Sequence, residues 1–100
     1  MIIINALMET NPGAVAAMKN AVVAMEQASR AESGCIAYVF ATEINNPTHI
    51  RIVEHWQDMQ SLKAHFATPH MAAFRAALAK NPPKTTAKLF DAKELPFPAL

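Results

Sequence analysis

The chain has 100 residues, of which 52% are hydrophobic and 17% are charged, and its net charge is +1. This length suits one domain, residues 1–100, and no more. The basic side chains form no cluster, so the composition argues against a nucleic-acid partner. No apolar run reaches the roughly 20 residues needed to cross a bilayer, and the N-terminus lacks the features of a secretory signal. With a single cysteine, Cys35, these features predict a cytoplasmic protein with no membrane partner.

The first half of the chain predicts a strand, a helix and a hairpin. Three successive isoleucines indicate a buried strand, and apolar residues at steps of three and four then indicate a helix. Thr10 or Asn11 caps that helix, Pro12 takes its first position, and Gly34 supplies the exit. Two further strands flank a turn at 45–47 and form a hairpin. The predicted elements cover residues 1–8, 12–31, 35–44 and 49–56.

The second half predicts two short helices and a last strand. Asp58 caps the first helix, and Thr68 with Pro69 begins the second. The strand from residue 84 to about 94 is half polar, which is typical of an edge strand. The tail, 95–100, is apolar but contains two prolines, so we expect an extended arm that docks on a partner.

This order of elements predicts an α+β fold, namely the split β-α-β arrangement of ferredoxin-like domains with a four-stranded antiparallel sheet. Both parities of the strand at 35–44 are apolar or weakly polar. Helices cover only one face of such a sheet, so we expect a second copy to cover the other and form a homodimer. The alternative is a monomer whose tail folds under the sheet, although six residues are too few to cover a sheet face.

Several polar side chains are predicted to meet in an apolar pocket, the usual form of a small-molecule site. Glu54 and Trp56 share one face of their strand, and a carboxylate there must find a partner or raise its pKa. His65, on the following helix, is placed to close over this face and pair with Glu54. His70 begins the next helix, and Asn5 is the one amide in an aliphatic strand.

Four of these residues, Trp56, Glu54, His65 and His70, also have a purely structural interpretation. Trp56 alone favours packing, and Glu54 with His65 is equally consistent with a buried structural pair. His65 and His70 are five residues apart, which does not place two ligands on one face of a regular helix. The sequence therefore predicts no metal site.

Taken together, the residues resemble those of the antibiotic biosynthesis monooxygenase family, and the resemblance spans nearly the whole chain. The matching motifs are Gly34-Cys35-x-x-Tyr38, Glu54-x-Trp56, Leu62-x-x-His65, and Pro69-His70-Met71 followed by Phe74. Members of this family are ferredoxin-like dimers whose two sheets pack into an α/β barrel. Their activities include cofactor-free oxygenation of polycyclic quinols, quinol oxidation, haem degradation and an isomerase-like step.

The resemblance implies a monooxygenase that needs no metal or flavin and acts with dioxygen on a quinol or polyphenolic aromatic molecule. His65 would be the base, Glu54 would orient it, and Asn5 would hold the phenolate or peroxide oxygen. The substrate-binding side chains implied are Trp56, Tyr38, Phe40, Phe66, His70 and Phe74. A non-oxidative isomerase-like enzyme or a small-molecule binding module on the same barrel are the alternatives.

Two departures from the family pattern bear on the chemistry. Members that oxidise polycycles carry an asparagine four residues before the strand tryptophan, where this chain has Ile52. Haem-degrading members combine a strand asparagine with a histidine and a tryptophan on helices. Asn5 fits loosely, but no tryptophan lies in the helices here, so quinol chemistry is favoured over haem degradation.

Overall fold

The computed structural model describes residues 1–99 as seven elements around one sheet. The strands are β1 (Ile2–Glu9), β2 (Cys35–Glu43), β3 (Asn46–Trp56) and β4 (Lys84–Asp91), and the helices are α1 (Pro12–Arg30), α2 (Met59–Phe66) and α3 (Pro69–Leu78). All pairings are antiparallel, in the order β2-β3-β1-β4. The predicted ferredoxin-like α+β fold is confirmed. β3 begins three residues earlier than predicted and β4 ends three residues earlier.

The helix starts follow the predicted local chemistry. The side chains of Asn11, Asp58 and Thr68 accept hydrogen bonds from backbone amides in the first turns of α1, α2 and α3. Proline occupies the first helical position of α1 and of α3, where its missing N–H costs no hydrogen bond. The caps Asp58 and Thr68 fix where α2 and α3 begin, and both of these helices contribute to the site.

One face of the sheet forms the core with the helices. Alternate residues of β1 are buried on this face: Ile2, Ile4, Ala6 and Met8. The register places Ile2 opposite Trp56 and Ile4 opposite Glu54, so the two residues of interest on β3 point into the same core. Met18 and Met25 of α1, Leu62 of α2 and Phe74 of α3 complete this layer.

The outer edge of β2 is covered by side chains of α1. Glu26 Oε2 accepts a hydrogen bond from the Phe40 amide at 2.9 Å, and Arg30 Nε donates to the Tyr38 carbonyl at 2.9 Å. Glu26 and Arg30 also pair with each other at 3.2 Å. An edge strand presents unpaired backbone groups, and these two charged side chains satisfy two of them.

The other face of the sheet carries none of the helices that the structure describes. Its apolar side chains are Ile3, Leu7, Val39, Val53 and Phe90, and polar side chains such as Asn5, Arg51 and Lys88 lie among them. The tail does not cover this surface within residues 92–99, because Leu95 and Phe97 are 70% and 84% exposed. Leu100, the end of the predicted arm, lies outside the described residues. Among the helices of residues 1–99, none combines the length and apolar character needed to span a bilayer.

Candidate active site

The end of β3 provides a buried carboxylate and indole. Trp56 is fully buried, Glu54 is 7% exposed, and Trp56 Nε1 donates a hydrogen bond to Glu54 Oε1 at 3.0 Å. This contact follows from the strand, because residues two apart project from the same face. Tyr38 lies opposite Glu54 in the register of β2 and meets the Trp56 ring edge-on, with ring centroids 6.3 Å apart. The three side chains form one wall of the site.

His65 of α2 closes over this wall. It is fully buried, and its ring lies 4.6 Å from the Trp56 ring and 5.4 Å from the Tyr38 ring, centroid to centroid. Its Nδ1 is 2.6 Å from Glu32 Oε2, whereas its Nε2 is buried without a hydrogen-bond partner among the described residues. An ionised carboxylate only accepts hydrogen bonds, so Nδ1 carries the hydrogen and Nε2 of a neutral ring keeps its lone pair.

Glu32 also binds the second helix histidine. His70 Nε2 lies 2.7 Å from the same oxygen, Glu32 Oε2, and its side chain is 23% exposed compared with 13% for Glu32. α2 ends at Phe66, and the Thr68 hydroxyl then donates to the His65 carbonyl at 2.7 Å while it caps α3. This break turns the chain and brings His70 back toward His65. The spacing argument against a shared site is therefore wrong, since spacing on a regular helix does not apply to residues on two helices that pack together.

Burial dominates the electrostatics of the wall. Desolvation raises the pKa of the Glu54 carboxyl, and the hydrogen bond from Trp56 and the nearby His65 offset part of that rise. Burial, reinforced by the Glu54 carboxylate, also raises the pKa of the Tyr38 phenol above its usual range. Desolvation and the carboxylates of Glu32 and Glu54 raise the pKa of the Cys35 thiol. The site thus favours neutral or protonated forms of its acidic groups.

The structure brings together most of the predicted site residues. His65, Glu54, Trp56, Tyr38, Phe66 and His70 lie in one cluster, with the Phe66 ring 5.9 Å from that of His65. Phe40 extends the cluster from Tyr38 toward α3, where its ring lies 5.4 Å from that of Phe74. The predicted pairing of His65 with Glu54 is wrong, because the hydrogen-bond partner of His65 is Glu32.

Asn5 does not join this cluster within the chain. It pairs with Val53 of β3 and Lys88 of β4, both on the open face, and its side chain is exposed there. Strand side chains alternate, so Asn5 projects away from the face that carries Glu54 and Trp56. The expectation that it converges with His65 is wrong for this reason.

Glu32 is the site residue that the sequence interpretation missed. It lies in the connection between α1 and β2, where Glu32-Ser33-Gly34 signals only the end of a helix. Its partners are 33 and 38 positions away along the chain. No local pattern marks such a residue. The only feature of the sequence that could have drawn attention to Glu32 is its position two residues before Gly34, in the short connection between α1 and β2.

A buried carboxylate at position 54 leads to a testable pH dependence. The folded-state pKa of Glu54 lies above its ordinary value of 4.5, so the native state binds the extra proton. Its contribution to stability is therefore fully present below that value and is lost as the pH rises through the raised pKa. We expect Glu54→Gln, which keeps an acceptor for Trp56 Nε1, to have a higher free energy of unfolding than wild type above the raised pKa, with a smaller difference in acid.

This is checked by urea denaturation at about pH 4 and about pH 8, with the free energy of unfolding compared at each pH. The matched control is the same substitution at Glu94, whose side chain is exposed in the tail. If the free energy of unfolding of Glu54→Gln exceeds that of wild type by more at about pH 4 than at about pH 8, the predicted direction is wrong.

The fold and this buried cluster define a ferredoxin-like α+β domain with a candidate active site between its sheet and its short helices. The chain belongs to the antibiotic biosynthesis monooxygenase family, whose sequence profile matches residues 1–77. No protein of curated function is similar enough in sequence to be matched with it.

Solved structures share the fold over nearly the full chain. A candidate antibiotic biosynthesis monooxygenase from Deinococcus radiodurans superposes with a TM-score of 0.90 at 24% identity, covering 99% of both chains. A conserved protein from Methanosarcina mazei Go1 gives a TM-score of 0.84 at 25% identity, covering 92% of both chains. Another antibiotic biosynthesis monooxygenase gives 0.83 at 25% identity, covering 94% of this chain and all of its own.

Proposed function

We propose that the protein is a monooxygenase that uses no metal or flavin and oxygenates a quinol or polyphenolic aromatic molecule. The observation that carries the proposal is the state of His65. Its Nδ1 is held by Glu32, and its Nε2 is fully buried with no hydrogen-bond partner within residues 1–99. A buried imidazole fixed in this tautomer is equipped to take a proton from a bound hydroxyl. Family membership supports oxygen chemistry as the next step.

In the proposed reaction, His65 Nε2 takes the proton of a phenolic hydroxyl. The phenolate passes one electron to dioxygen, and the resulting aryloxyl radical and superoxide combine to form a carbon–oxygen bond. The imidazolium of His65 returns its proton to the peroxide. Loss of the ring C–H proton then breaks the O–O bond and releases water, which leaves a quinone. One substrate and one dioxygen give one quinone and one water, so no external reductant is needed.

An apolar groove that is lined by a neighbour of His65, although not by His65 itself, suits such a substrate. It encloses about 430 Å³ between α2 and β4, within the size range of small-molecule pockets. Ile4, Leu62, Phe66 and Leu89 line it, and Phe66 is the chain neighbour of His65. Because His65 and Trp56 are fully buried, α2 must shift outward for a ring to reach Nε2. Phe66, which is 42% exposed, is the proposed entry point.

The structure changes the proposed division of labour among the polar residues. We assign the orienting role to Glu32, which contacts His65 Nδ1, in place of Glu54. Glu54 is close enough to His65 for a Coulomb attraction, so in its ionised form it stabilises the imidazolium. Asn5 has no part in the proposed chemistry of its own chain. Trp56, Tyr38 and the neighbouring phenylalanines form the wall on which the substrate ring stacks.

Oxygen uptake with a panel of hydroquinones tests the proposal directly. The expected result is uptake equimolar with substrate in protein treated with chelator, with no flavin band in its absorption spectrum. A folded protein that consumes no oxygen with any member of the panel would contradict the proposal. Turnover that continues without oxygen would instead identify an isomerase-like enzyme, and tight binding without turnover would identify a binding module.

We further propose that the protein is a cytoplasmic homodimer that pairs through the open face of its sheet. Ile3, Leu7, Val39, Val53 and Phe90 lie on this face, and apolar area of this kind gains about 25 cal/mol per Å² on burial. Val39, for example, is 41% exposed in the single chain. A second copy related by a twofold axis would bring the two apolar centres together, consistent with the family resemblance.

Val39→Asp is expected to shift the protein from dimer to monomer in analytical ultracentrifugation, because a buried unpaired charge at the interface costs several kcal/mol. Val23→Asp is the matched control, since Val23 is 44% exposed but lies on α1, the helix that packs on the covered face of the sheet. If both variants sediment as wild type does, or if wild type is a monomer, the open face is not the interface.

A further inference from the structure

Three metal-ligating side chains converge at the rim of the site. Glu32 Oε2, His65 Nδ1 and His70 Nε2 all lie within 4.8 Å of one another, and each belongs to a different segment of the chain. Both nitrogens are in hydrogen-bond contact with the one oxygen. We propose that these three residues form a binding site for a divalent transition-metal ion of the zinc type, which replaces the shared hydrogen bonds.

The donor set fits such an ion. Two imidazoles and a carboxylate are borderline ligands that suit Zn²⁺, Co²⁺ and Ni²⁺ better than Mg²⁺ or Ca²⁺. With metal–ligand distances of about 2.0–2.2 Å, tetrahedral ligand atoms stand about 3.3 Å apart. The present separations from Glu32 Oε2 are 2.6 Å and 2.7 Å, so each nitrogen must move away by less than about 1 Å. Movements of this size are within the range of side-chain rotations.

The position of the cluster allows an ion to enter. His65 forms the buried floor, whereas Glu32 and His70 keep 13% and 23% of their side-chain surface exposed. Water therefore has access to the open side and supplies the fourth ligand. Among residues 1–99, this is the one group of three histidine, cysteine or carboxylate side chains whose ligand atoms meet so closely.

Metal binding would change the protonation pattern of His65. In the free protein Nδ1 carries the hydrogen that faces Glu32, and Nε2 keeps its lone pair. An ion on Nδ1 forces the hydrogen onto Nε2, which then donates and no longer accepts a proton. The site would thus switch off the base, an effect that rests on the proposed function, whereas the binding itself does not.

The binding test uses chelator-treated protein and ZnCl₂ in isothermal titration calorimetry. We expect one ion per chain with a Kd of about 1 μM or tighter, together with a rise in Tm. NiCl₂ provides a second readout, because Trp56 is the only tryptophan and its ring lies 4.6 Å from that of His65. A paramagnetic ion bound there should quench the fluorescence of Trp56, and the quenching should saturate at one ion per chain.

Two variants locate the site. Glu32→Gln keeps the shape of the side chain but removes the charge, and His70→Ala removes a partly exposed ligand, so both should fold as judged by circular dichroism. Each is expected to weaken zinc binding by at least about 100-fold. His49→Ala is the matched control, because His49 also contacts carboxylates, Glu43 at 2.8 Å and Glu9 at 3.9 Å. It should bind zinc as wild type does.

The absence of saturable binding to wild type would overturn the proposal, as would unchanged affinity in both site variants or loss of affinity in His49→Ala. Zinc binding in a protein that never consumes oxygen would leave the metal site standing and contradict only the proposed function. Where oxygen uptake is found, zinc should suppress it and chelator should restore it.

Discussion

His65→Gln is expected to lower the rate of oxygen uptake by about 10²–10⁴-fold, the usual contribution of a positioned general base. Glutamine can fill much of the same space and still hydrogen-bond Glu32, but it has no nitrogen lone pair that takes a proton near neutral pH. The buried position of His65 makes a folding check necessary, so the rate is compared only if circular dichroism and sedimentation match wild type. Stopped-flow or electrode measurements with the best hydroquinone give the ratio.

Glu32→Gln separates positioning from packing in the same assay. It leaves the shape of the connection unchanged but offers His65 Nδ1 an amide, which can either accept or donate a hydrogen bond. The tautomer is then no longer enforced, and the ionic stabilisation of the imidazolium is lost. We expect a loss of about 10–100-fold, mainly in kcat, and an altered pH–rate profile. His49→Ala should keep the full rate. A His65→Gln protein that is folded and as active as wild type would remove His65 from the mechanism.

The elements of the fold could be predicted from the sequence because their signals are local. The caps Asn11, Asp58 and Thr68 bind amides within three residues of themselves. The isoleucines of β1 indicate a strand by their residue type alone. The edge position of β4 also followed from its half-polar composition. Antiparallel order then followed from the succession of elements.

The arrangement of the site was harder to predict because it depends on registers and on contacts between distant segments. Residue type predicts Asn5 in the pocket, yet its register with Val53 places its side chain on the other face of the sheet. The role of Glu32 follows only from the packing of α2 and α3 against the connection that contains it, because its two partners lie on those helices. The sequence shows that His65 and His70 are five apart and that one helix ends and the next begins between them. It does not show that the two short helices pack so that both rings reach one oxygen.

A single methyl group at position 34 should disturb both the fold and the site. Gly34 has a φ of +87°, which costs an L-residue about 1–2 kcal/mol. A Cβ placed there would also overlap the Ser61 side chain, with only 2.8 Å to Ser61 Cβ. Together with about 1–3 kcal/mol for overpacking, Gly34→Ala is expected to lose about 2–5 kcal/mol of unfolding free energy, or roughly 10–20 °C in Tm.

Gly13 offers a matched control for this substitution, and a second substitution at Ser61 separates the steric overlap from the backbone strain. Gly13, in the first turn of α1, has no positive φ, and an added Cβ would meet only Asn11 Oδ1 at 3.5 Å. Gly13→Ala should therefore be neutral or stabilising by about 0.5–1 kcal/mol. Combining Gly34→Ala with Ser61→Gly removes the overlap but not the backbone strain, so the pair should be less destabilising than the sum of its parts.

The position of Gly34 extends this prediction to catalysis. Its carbonyl accepts a hydrogen bond from the Gln57 amide at 2.8 Å, which ties the connection to the start of α2 only two residues after Glu32. Relief of the overlap with Ser61 must push the connection away from α2 and so lengthen the contact between Glu32 and His65. At a temperature where Gly34→Ala remains folded, its oxygen uptake should fall toward that of Glu32→Gln. Full activity in a folded Gly34→Ala protein would show that the rate does not depend on this contact.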